Sequence, residues 1–110
     1  MTVRELSNRL TAEILAGEDG ADRDVTGCYT GDLLSWVMSR AKSGDAWLTV
    51  MGNVNAIAVA SLTDAACIVL TDHASLDEDA RVKANQQHIA VLSAEQNSYE
   101  IGAKIAEIFK

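Results

Sequence analysis

Between Val25 and Leu70 the chain alternates short apolar or β-branched runs with helical repeats, in the order strand, helix, strand, helix, strand. Strands separated by helices need crossover connections rather than hairpins. Such crossovers lay the strands side by side in a parallel sheet with helices on its faces. The expected fold is therefore α/β, a three-layer sandwich around a mainly parallel sheet of four to five strands. Ala66 to Leu70 supports it, because a continuous apolar run suits a strand covered on both sides.

The remaining elements follow from local pattern. Thr2 and Glu5 have capping-box spacing and predict a helix over 3–10, followed by a strand over 13–16. The glycines and like charges of Gly17 to Asp24 predict a loop. From Asp32 the residues Leu33, Leu34, Val37, Met38 and Ala41 form one apolar stripe, and the helix should stop near Ser43 and Gly44. Trp47 to Met51 reads as a strand with Trp47 in the core, and Ala56 to Leu62 as a covered helix. Ser75 and Glu78 suggest a capping box opening a helix to about Gln87, Ile89 to Leu92 a strand, and Asn97 with Glu100 a last capping box. The final helix carries Ile101, Ile105, Ile108 and Phe109.

A chain of 110 residues supports one core, so the expectation is a single domain over 1–110. The formal charge of −7 opposes a nucleic-acid partner, which needs a basic patch, although one scattered Arg or Lys suffices for a small anion. Cys28 and Cys67 lack the close spacing of a metal knuckle and read as small, buried apolar residues in strands. No segment approaches the roughly 18 continuous apolar residues of a spanning helix, nor does the N-terminus carry a charged stretch followed by an apolar run. A cytoplasmic protein without membrane contact is expected.

In an open parallel sheet, ligands sit beyond the carboxyl ends of the strands, where helix N-termini offer free amides. Thr49 to Asn55 is the best such loop: Thr49, Gly52, Asn53 and Asn55 combine a hydroxyl, a glycine that admits close backbone approach, and two amides that either bind a ligand or cap the helix. Thr30, Gly31 and Asp32 form a second loop, in which the Asp is expected to cap the next helix. Thr71, Asp72 and His73 form a third, without enough ligands for a metal, since His88 lies across a helix. Ser93 and Glu95, followed by Tyr99, form the fourth; no base or oxyanion site accompanies the serine, so no catalytic residue is assigned. Asp77, Glu78 and Asp79 suit a helix first turn.

Helical spacing turns Trp36 away from its stripe, with Arg40 one turn along the same face. An outward Trp favours an interface, and a homodimer or partner surface is expected there.

Four segments resemble the DRTGG domain family: VTGCYTGDLLSWVM, GDAWLTVMGNVNAIAVASL, ACIVLTD and VLSAEQNSYEIGAKI. The letters DRTGG themselves do not occur; the nearest run is Asp22 to Gly27, and after Leu70, where relatives tend to have Thr-Gly-Gly, this chain has Thr71, Asp72 and His73. The resemblance implies an accessory role, often in a dimer. Similar domains accompany CBS domains in pyrophosphatases, precede the catalytic part of HPr kinase, and occur beside iron hydrogenase systems. No G-x-x-x-x-G-K-[ST] run is present to support kinase chemistry.

Three functions are thus open. The first is a non-enzymatic, homodimeric regulatory module that senses a small anionic metabolite or nucleotide and needs no cofactor. The second is an interaction accessory of a redox enzyme, without a small ligand. The third is a small enzyme using Asp72 and His73.

Overall fold

The computed structural model describes residues 1–110. In chain order the elements are α1 (Val3–Leu10), β1 (Glu13–Ala16), β2 (Gly27–Thr30), α2 (Leu34–Arg40), β3 (Asp45–Thr49), α3 (Val54–Thr63), β4 (Cys67–Leu70), α4 (Glu78–Gln87), β5 (Ala90–Ser93) and α5 (Ser98–Ile108). The five strands form one sheet in the order β1-β5-β4-β3-β2. β2, β3, β4 and β5 run parallel, and β1 pairs antiparallel with β5.

Side chains alternate across the sheet and divide the core in two. On one face Leu48, Val69 and Leu92 pack with Leu6 of α1 and with Ile101 and Ile105 of α5. On the other, Trp47, Ile68 and Val91 pack with Val37 of α2, Ile57 of α3 and Ala80 and Ala84 of α4. These are the three expected layers. Trp47 is fully buried, and its Nε1 donates 2.9 Å to the Gly31 carbonyl, so the indole is covered without stranding a donor. Fully burying each large aliphatic side chain contributes about 1.5–3 kcal/mol.

The capping boxes at both ends of the chain form. Thr2 Oγ1 accepts from the Glu5 amide while Glu5 returns a bond to the Thr2 amide, and Asn97 and Glu100 repeat the exchange. The Ser75–Glu78 box does not form. α4 begins at Glu78 with Asp77 at its N-cap position, because residues 71–76 are taken up by a tight turn and by packing on the β3–α3 loop.

Three other expectations are corrected. β3 begins at Asp45, two residues before Trp47, and ends at Thr49, since Asn53 must already cap α3. α2 is only seven residues long and lies at the sheet margin; of its proposed stripe Val37 is fully buried, whereas Leu33 and Met38 are exposed. Cys67 is buried but Cys28, on the margin strand, is exposed.

Candidate functional site

Because β2 to β5 are parallel, Thr30, Thr49, Leu70 and Ser93 end their strands at one rim, and the four expected loops meet there. The rim is braced from within. Thr49 is fully buried; its Oγ1 donates 2.7 Å to Asp32 Oδ1 and accepts from the Met51 amide. Asp32 Oδ1 also accepts from the Val50 amide at 3.1 Å. The expectation that Asp32 caps α2 is therefore corrected: Leu33 holds the N-cap position without a side-chain bond, and the carboxylate reaches across to the neighbouring loop.

Gly52 is small for a reason different from ligand approach. A Cβ there would lie 1.9 Å from the Ser75 carbonyl oxygen, and the Gly52 carbonyl accepts from the Asp77 amide at 2.8 Å. The close backbone approach is that of the β4–α4 loop. Asn53 caps α3 by accepting from the Ala56 amide at 2.9 Å, and Asn55 is exposed on the first turn. Gly31 uses both backbone groups, donating to Leu48 and accepting from Trp47, while Thr30 is exposed.

Thr71 is fully buried and shares a 3.1 Å hydrogen bond with Ser98 Oγ. Asp72 and His73 then both adopt left-handed backbone, with φ of 56° and 52°, and the Ala74 amide closes the turn on the Thr71 carbonyl. Their amides donate to Gln96 and Ala94 of the β5–α5 loop, so the third and fourth loops are also tied.

What stays open is a shallow depression of about 340 Å³ beside Ser93, lined by Thr11, Glu13, His73, Ser93, Glu95 and Gln96. Its lining is wholly polar, with two carboxylates, two hydroxyls, an amide and an imidazole. Of the expected rim residues, Ser93 lines this space, Thr30 and Asn55 are exposed elsewhere, and Thr49, Gly52 and Thr71 are engaged internally. Sequence reasoning missed Glu13. It reaches the rim because β1 is antiparallel, so that strand's start, rather than its end, lies beside Ser93.

Neither thiol is primed for attack. Partial desolvation of its sulfur, helped by the Asp45 carboxylate, pushes the otherwise exposed Cys28 up to about 11, and full burial pushes Cys67 up to about 12. His88 pairs with Asp19, and Asp64 with Arg23, at the opposite ends of the strands from Ser93. No three His, Cys, Asp or Glu side chains gather as metal ligands.

Comparison with curated proteins finds no match. Among solved structures, the chain is similar to the CBS and DRTGG domains of the regulatory region of Clostridium perfringens pyrophosphatase, crystallised with the activator diadenosine tetraphosphate. The TM-score is 0.74 at 12% identity, over 94% of this chain and 45% of that one, so this chain spans less than half the length of its structural relative. At that identity the likeness is one of fold. The DRTGG domain profile matches residues 5–108, nearly the full length, and on that match the chain belongs to the DRTGG domain family.

Proposed function

We propose that this domain is a non-enzymatic regulatory module that senses a small ligand of the nucleotide class at the carboxyl rim of its sheet. The observation that carries the reading is the bracing of the four loops into one unit, through Asp32–Thr49, Gly52–Asp77 and His73–Ala94. A ligand seated on one loop would bias all four, which is what a sensor requires. The pyrophosphatase regulatory region with its dinucleotide activator supports this class of ligand. The depression beside Ser93 refines it: Glu13 and Glu95 would repel a bare phosphate, yet with Gln96, Thr11 and Ser93 they suit the hydroxyl and amino groups of a nucleoside.

Thermal melting and calorimetry with adenosine, ATP, diadenosine tetraphosphate and inorganic phosphate test this. Ligand at a hundred times its Kd stabilises the folded state by about 2.7 kcal/mol, which a melt resolves easily. A response to the nucleosides that is lost in Ser93→Ala and Glu95→Ala is expected; none from any compound at saturation would refute the reading.

Exposure of Leu33, Trp36 and Met38 on α2 favours a second reading, association through that face. A redox enzyme partner belongs to this reading. Trp36→Ala would then abolish association while rim variants associate normally.

A further inference from the structure

Asp45, at the start of β3, is the one buried carboxylate of the chain, only 7% exposed. Folding uses half of it. Its Oδ2 accepts from the Lys42 amide at 2.8 Å, while Oδ1 accepts no hydrogen bond from the protein. Every fully enclosed side-chain oxygen or nitrogen does have a partner, so Oδ1 is not sealed in. It opens onto a shallow cavity of about 500 Å³ at the start of β2, whose walls include Gly27, Tyr29, Arg40 and Lys42. Small-ligand sites commonly enclose about 300–1,000 Å³.

Gly27 keeps that oxygen bare. It is the register partner of Asp45 across the parallel β2–β3 pair, and a Cβ on it would lie 2.5 Å from Oδ1. A larger residue would cover the oxygen or push the carboxylate aside. The cations of the cavity are also unspent. Ion pairs in the chain draw on Arg4, Arg23, Arg81, His88 and Lys110, whereas neither Arg40 nor Lys42 takes a carboxylate. Arg40 is stacked 4.1 Å from the Trp36 ring centre instead, a contact that holds the guanidinium off Asp45.

One cavity thus carries a carboxylate oxygen and two cations that do not satisfy one another. A bare anion does not suit it: Asp45 faces the space, Asp24 is close by in the chain, and the protein as a whole carries −7. A bare amine would meet Arg40 and Lys42. A molecule bearing both signs satisfies all three groups, with its ammonium donating to Oδ1 and its carboxylate accepting from the guanidinium and the Lys42 ammonium. We infer that this cavity binds a small zwitterion of the α-amino-acid class. It lies at the starts of β2 and β3, the opposite end of the sheet from Ser93, and is a second site, separate from the nucleoside depression.

Calorimetry and thermal melting of the intact chain with glutamate, alanine, succinate and putrescine provide the test. Both amino acids should raise the melting temperature and bind at least about tenfold more tightly than succinate, which lacks the ammonium, or putrescine, which lacks the carboxylate. Asp45→Asn, which keeps an acceptor for the Lys42 amide but loses the charge, should weaken glutamate binding by about tenfold or more, as should Gly27→Ala, which covers Oδ1. Arg40→Gln combined with Lys42→Gln alters exposed side chains only and should cost a similar factor, so it decides the matter should Asp45→Asn fail to fold. No response to either amino acid at saturation, succinate binding as tightly as glutamate, or glutamate affinity unchanged in the double variant overturns the assignment. Ser93→Ala should leave glutamate binding intact, so this site and the nucleoside reading fail separately.

Discussion

Asp32 holds the buried Thr49 hydroxyl at 2.7 Å and, through the same oxygen, the Val50 amide at 3.1 Å. The β2–α2 and β3–α3 loops are thereby fixed to one another at the point where a parallel sheet ordinarily receives its ligand. The carboxylate serves as a brace, and this changes how the rim is read: Thr49 is a structural hydroxyl.

Replacing Asp32 by Ala should leave that buried hydroxyl and an amide short of an acceptor, at a cost of about 1–3 kcal/mol. For a domain of this size each kcal/mol corresponds to roughly 4–8 °C in Tm. Asp32→Asn, which keeps an acceptor oxygen, should lose less. Equal melting temperatures for the native chain and Asp32→Ala would contradict the brace.

Gly52→Ala should be severe, because the added carbon would lie 1.9 Å from the Ser75 carbonyl oxygen and backbone on both sides resists displacement. A loss of about 1–3 kcal/mol or more is expected from such overpacking. Gly102→Ala is the control. It sits within α5, where the nearest atom would be an ordinary 4.0 Å away, so the change should stabilise by about 0.5–1 kcal/mol in urea unfolding.

At Asp72 and His73 the left-handed turn is adopted by two residues that carry a Cβ. Left-handed backbone costs an L residue about 1–2 kcal/mol, less for Asp, and glycine avoids it. His73→Gly should therefore raise the unfolding midpoint by an amount worth about 1 kcal/mol, net of the added freedom of the unfolded chain. A lowered midpoint would show that the imidazole contributes more than the turn costs.

Acid should weaken the opposite rim. Hydrogen bonds from Arg23 and then Ser43 lower the Asp64 carboxyl from its ordinary 3.8 to about 2. A folded-state value below the unfolded one means stability that is fully present above pH 4 and lost as pH falls from about 4 toward 2. The pair is exposed, so the effect is small. Asp64→Asn should flatten stability across that window; an unchanged acid profile would show that the bond contributes nothing.

The capping boxes at Thr2 and Asn97, the cap at Asn53 and the buried β4 run were readable because each depends on residues a few positions apart, or on apolar content alone. The failed box at Ser75 shows the limit. Its spacing is right, yet the Gly52 carbonyl, more than twenty residues away, takes the Asp77 amide and helps set where α4 begins. Of the candidate site, the gathering of four loops at one rim was legible from the strand–helix alternation. Which hydroxyls remained open was not, since Thr30 and Thr49 look alike in the sequence and differ only in what lies beside them.

By itself the sequence determined the alternation of elements, the parallel sheet and the outward turn of Trp36, all consequences of periodicity and local capping. Tertiary structure decided that Asp32 braces Thr49, that Glu13 joins Ser93 at the rim, and that Gly27 bares the Asp45 carboxylate to a cavity. Those outcomes depend on strand order and on contacts between distant segments, and the energy of such a contact is set by proximity in space, which no local pattern encodes.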